Sequence, residues 1–93
     1  MRILPPLLLA FLMAGSATGG ELPRDVADFL ARRDRCDHFR GEDSVDPARA
    51  ADIRRALVAN CRGTDAELAR LKRRHARDPA IRARLQAYDP RVE

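Results

Sequence analysis

Cys36 and Cys61 are the only cysteines of the 93-residue chain. Whether they are joined decides how small a hydrophobic core the chain can fold around. The answer turns on compartment, because disulfides persist in oxidising surroundings and are rare in the cytosol. The N-terminal residues point to export. Arg2 supplies a short positive start, residues 3–13 are apolar apart from Pro5 and Pro6, and residues 14–20 are all small, which is the pattern of a secretory signal peptide. The apolar run, about eleven residues, falls short of the ~20 that a membrane-crossing helix needs. Cleavage is expected after Ala17 or Gly19, giving a signal peptide over residues 1–19 and a folded domain over residues 20–93. Leu12, Met13, Ala14 and Gly15 look like the start of a lipoprotein box, but Ser16 follows, and a hydroxyl cannot replace the thiol that takes the lipid. The expectation is a periplasmic or secreted protein with neither a lipid nor a transmembrane anchor.

An even number of cysteines in an exported chain permits one intramolecular pairing, and Cys36–Cys61 is the default. A domain of this size buries little apolar surface per residue. Closing a loop of this length removes about 3.5 kcal/mol of unfolded-state entropy, a large share of the ~5 kcal/mol at the low end of domain stabilities. Charge is dense in both signs: without Arg2 there remain 17 basic and 14 acidic residues, a net of +3. Lys72 is the only lysine. The arginines are spread along the whole chain, as on a solvated surface.

No alternating run of β-branched residues is present, and only 4% of residues are aromatic, so the domain is expected to be all-α, a small disulfide-stapled bundle of about four helices. The first should begin near Pro23 and run to about Arg40, with Val26, Phe29, Leu30 and Cys36 on one stripe and Arg33 as the exception on that face. Gly41 is expected to end it in the left-handed conformation. Asp46-Pro47 opens the second helix, the carboxylate capping free amides and the proline having none to lose. Its stripe is Ala50, Ile53, Leu57 and Cys61. Thr64-Asp65-Ala66-Glu67 reads as a reciprocal capping box for a third helix, carrying Leu68, Leu71 and His75 as far as Asp78-Pro79. A short fourth helix shows Ile81, Leu85 and Tyr88 on one face. Asp89-Pro90 stops it, and the last residues should fray. The expected core combines Val26, Phe29, Leu30, Ile53, Leu57, Leu68, Leu71, Ile81, Leu85 and Tyr88.

The segment CDHFRGED, residues 36–43, concentrates groups that bear chemistry. Read as a metal site it lacks convergence, since Cys36 and His38 point about 200° apart on a helix and His75 is on another helix. Read as a thiol nucleophile it needs a positioned base and an open cleft, whereas paired cysteines on core-facing positions oxidise on export. A redox pair would call for C-x-x-C spacing. The structural crosslink is therefore the preferred reading, with His38 and Arg40 placing positive charge at a helix C-terminus. His75 reads as a histidine at the edge of the core with its polar nitrogen in water, the alternative being a pH sensor. Arg70, Lys72, Arg73, Arg74 and Arg77 form the densest basic run, with no acid before Asp78. It is either a solvated face or an anion-binding surface; nucleic acid is not expected, there being no interleaved aromatics for stacking.

With CDHFRGE and CRGTDAELARLKRRHARDPAIRARLQAYD both in view, the chain resembles a group of short exported proteobacterial proteins. They share a Cys-Asp-His-Phe-Arg-Gly-Glu segment and a second cysteine before a Gly-Thr-Asp-x-Glu-Leu helix start. That resemblance carries no activity with it. The chain is more weakly similar to the LprI-type lysozyme inhibitor domain, through Cys61, Asp65, Glu67, Leu68 and Leu71. It departs from that domain at Lys72, where an aspartate is usual, and at His75, in place of its closing tyrosine. A net charge of +3 also opposes steering toward lysozymes, which are typically basic. No constellation of catalytic geometry can be assembled from these residue types. The expected function is thus that of a non-enzymatic interaction module without a cofactor, binding a periplasmic protein or envelope component. The alternative is a binder of anionic phospholipid or lipopolysaccharide through the basic third helix.

Overall fold

Two Asp-Pro pairs and one glycine divide the chain. In a computed structural model that describes residues 21–93 they separate four helices: α1 Arg24–Arg40, α2 Pro47–Cys61, α3 Thr64–Arg74 and α4 Pro79–Gln86. No strand occurs among the described residues. The expected signal peptide lies outside them. Asp46 caps α2 by accepting from the Arg49 amide at 2.9 Å, and Asp78 caps α4 by accepting from the Ala80 and Ile81 amides. Pro23 stands just before α1 as its N-cap, and its carbonyl accepts from the Ala27 amide.

The core is built by α1, α3 and α4. Val26, Phe29 and Leu30 meet Leu68, Leu71, Ile81 and Leu85, with Leu22 and Tyr88 packed against them. Phe29 and Tyr88 pack edge to face, centroids 6.0 Å apart, the arrangement that ring quadrupoles favour. α2 departs from expectation. Ile53 is buried but outside this cluster, and Leu57 is only half-buried.

Beside the buried Ile53, covalent and polar contacts fasten α2 to α1. The Cys36–Cys61 disulfide is formed, with S–S 2.05 Å and Cα atoms 4.9 Å apart, and both cysteines are buried. Around it, Arg32 of α1 donates to the Ala59 and Arg62 carbonyls, and Arg35 Nε donates to Asn60 Oδ1 at 3.0 Å. A helix end leaves carbonyls without partners and carries partial negative charge. Arg32 answers both needs at the C-terminus of α2.

Three local expectations are corrected. Gly41 is right-handed, φ −93°, because α1 ends by tightening: the Gly41 amide donates to His38 O and the Glu42 amide to Phe39 O. The left-handed glycine is Gly63, φ +80°, at the tight joint between α2 and α3. Thr64 does not form a capping box with Glu67. It is fully buried, its hydroxyl donating to the Cys61 carbonyl at 2.7 Å, while Glu67 faces Arg32 and Arg70. α3 also stops at Arg74, a turn before Asp78.

Candidate binding surface

The 36–43 segment is tied up on every side. The Cys36 sulfur is in the disulfide. Asp37 lies 2.9 Å from Arg40 and 3.6 Å from Arg33 Nε, and His38 Nε2 is 3.3 Å from Glu42 on a side chain 64% exposed. Glu42 also accepts from Arg49 Nε at 2.6 Å, linking the end of α1 to the first turn of α2. Asp43 accepts from the Ser44 amide. Among the described residues no group of three or more His, Cys, Asp or Glu side chains is placed to hold a metal.

The basic run does not form one face. At 100° per residue Lys72 and Arg74 fall on opposite flanks of the Leu68/Leu71 stripe, and Arg70 and Arg73 fall behind it. Arg70 pairs with Glu67 at 3.7 Å and Arg74 with Asp25 at 3.5 Å. Lys72, Arg73 and Arg77 make no ion pair among the described residues, and Arg73 and Arg77 are exposed. His75 is not simply wet: its Nε2 lies 3.3 Å from Asp25 Oδ2. Burial alone would raise the Asp25 carboxyl, but the hydrogen bond with His75, the Val26 amide and the charges of His75 and Arg74 together hold it below its ordinary value.

A second polar centre forms around Arg33, which interrupts the apolar stripe of α1. Arg33 is fully buried, its guanidinium 5.9 Å from the Phe29 ring centroid. Its Nη2 donates to the Asp89 carbonyl and lies 3.5 Å from Asp65 Oδ1, while Nε and Nη1 lack hydrogen-bond partners. Residues 89–93, expected to fray, lie across this centre. Asp65 accepts from the Val92 and Glu93 amides, and Glu93 in return accepts from the Gly63 amide at 2.9 Å and the Asp65 amide at 3.0 Å. The exchange is that of a capping box, but its second carboxylate comes from 28 residues away. The two amides pull the Glu93 carboxyl below its ordinary value. For Asp65 the largest influence is burial, which raises it, yet the tail amides and the Arg33 and Arg40 charges bring it lower. The one signal in the sequence was an unpaired arginine on an apolar stripe, which implies acids brought in from elsewhere.

The outer face of α2 is the third feature. Val58 is 52% exposed and Val45, just before the helix, is fully exposed. Ala51, Val58 and Ala59 line a shallow hollow with Arg54 and Arg55 at its edges. Arg55 pairs with Asp52, while Arg54 makes no ion pair among the described residues. No described helix is long and apolar enough to cross a membrane. Set against known proteins, the chain matches no family model, no curated protein and no solved structure.

Proposed function

We propose that the protein is an exported, periplasmic or secreted interaction module that acts by binding another protein rather than by catalysis. The observation that carries this reading is the outer face of α2, where small apolar side chains lie open to solvent between arginines while the opposite side of the helix is stapled to α1. Such a face suits a partner that offers an apolar side chain from an acidic surface. The disulfide supports export, since it would be reduced in most cytosols, and so does the signal-like pattern of residues 1–20. Cell fractionation, with the thiols counted in the recovered protein, tests the compartment. Recovery in the cytosol with two free thiols would refute export.

Affinity capture of the tagged mature protein from periplasmic extract tests the surface. A partner should be retained by wild type at raised salt and lost by Val58→Asp; a partner kept by that variant rules out this face. One observation favours the second reading, binding to anionic lipid or lipopolysaccharide phosphates: Lys72, Arg73 and Arg77, at and just beyond the end of α3, make no ion pair among the described residues. It predicts vesicle binding that disappears between about 50 and 200 mM salt and that Arg73→Glu weakens.

A further inference from the structure

The first turn of α3 and the buried Arg33 receive residues 89–93 through groups that would receive any chain of similar pattern. They offer two amides to a carboxylate, a carboxylate to two consecutive amides, and a guanidinium to a carbonyl. Apart from Glu93, the tail contributes backbone groups to this exchange. The Arg33 guanidinium reaches Asp65, the second residue of α3. Although the side chain is 0% exposed, Nη1 has no hydrogen-bond partner and Nε has only the Asp37 carboxylate at 3.6 Å, beyond hydrogen-bonding distance, so the present occupant leaves donor capacity at Nη1 unused. Helix N-termini favour carboxylates through free amides and the dipole together. Arginine adds a planar donor set suited to carbonyl and carboxylate oxygens.

We infer that the α3 N-terminus with Arg33 and Asp65 is a recognition site for a glutamate-bearing peptide segment of a partner protein, held in the free protein by residues 89–93 as a displaceable internal ligand. The pattern it reads is a backbone carbonyl followed, three and four residues later, by two amides, with a glutamate side chain on the last residue. The exposed position of Glu93 gives a competitor access to the carboxylate end, where exchange would begin. This rests on the reading of the protein as an interaction module and names one class of partner. The test uses purified components, so its failure would leave the α2 face to be judged by capture alone.

The probe is a fluorescent synthetic peptide, Tyr-Asp-Pro-Arg-Val-Glu, titrated by anisotropy into the full disulfide-bonded chain and its Glu93→Ala variant. The variant should bind about tenfold or more tightly than wild type, because its amides are vacated, and a peptide ending in Gln should lose about tenfold, as expected for a charge-assisted hydrogen bond. Circular dichroism and a thermal melt establish that the variant is folded. Should it fail to fold, Val92→Pro removes one tail amide and leaves the receiving groups intact, and the same ranking is expected. Equal binding of the Glu and Gln peptides, or no binding to a folded variant, would overturn the inference.

Discussion

At the scale of single residues, the 36–43 segment separates chemistry from support. Cys36 is locked to Cys61 and buried, whereas His38 pairs with Glu42 and packs edge to face on Phe39 at an exposed surface. Exposed ion pairs contribute little, while a native disulfide in a small domain contributes 2–5 kcal/mol, roughly. Cys36→Ser should therefore lower stability by about 2 to 5 kcal/mol and His38→Ala by about 1 kcal/mol or less, as read from thermal melts. The pairing was legible from cysteine count and export signals. The role of Arg33 was not: an arginine on an apolar stripe looks like a defect until Asp65 and the Asp89 carbonyl are brought to it by the folded chain.

Among the elements, α2 and α4 begin with the same Asp-Pro device yet have different standing. α4 places Ile81 and Leu85 in the main core, while α2 lies beside that core and is fastened by the disulfide, by Arg32 and by the Arg49–Glu42 pair. Loss of an N-cap typically costs about 1 kcal/mol. Where the helix carries core residues that cost passes into global stability; where the far end is covalently pinned, fraying stays local. Asp78→Ala should therefore lower Tm by roughly 4–8 °C per kcal/mol lost, and Asp46→Ala by less. Both starts were readable because the signal is local. The start of α3 departs from the local pattern for the opposite reason: Thr64 turns inward to the Cys61 carbonyl, and the carboxylate on the Gly63 and Asp65 amides belongs to the distant Glu93.

For the whole molecule, three long-range polar contacts set limits on the pH range of stability. Asp25, Asp65 and Glu93 have carboxyls held below their ordinary values of 3.8, 3.8 and 4.5. A group whose folded pKa is lowered contributes stability above its unfolded pKa and loses it as pH falls through the folded value. Melts should thus show a falling Tm as pH drops below about 4.5, with less of a decline in high salt, which already screens the exposed parts of these contacts. Tyr88 acts at the other limit. Burial, then its hydrogen bond to Asp34 at 2.6 Å and the Asp34 charge, push its phenol up to about 12. Its contribution is complete below 10.0, the ordinary value, and is lost as pH rises through about 12. As the single tyrosine in a chain without tryptophan, it can be followed by ultraviolet titration; a midpoint near 10 would contradict this placement.

Helical class, the approximate number of helices, two of their caps and the pairing of the cysteines were determined by the sequence itself, because each depends on neighbours within a few residues or on a count that allows one answer. The tertiary structure decided what distance in the chain conceals. It assigned the left-handed turn to Gly63 rather than Gly41, since the tight joint between α2 and α3 requires it and the tightening end of α1 does not. It placed Leu57 only half-buried and outside the main core, on a helix that the disulfide and the arginines of α1 fasten beside that core. It also laid residues 89–93 over Arg33, because a buried guanidinium needs acceptors and the carboxylates and carbonyl that supply them come from Asp37, Asp65 and Asp89, which meet only once the chain has folded.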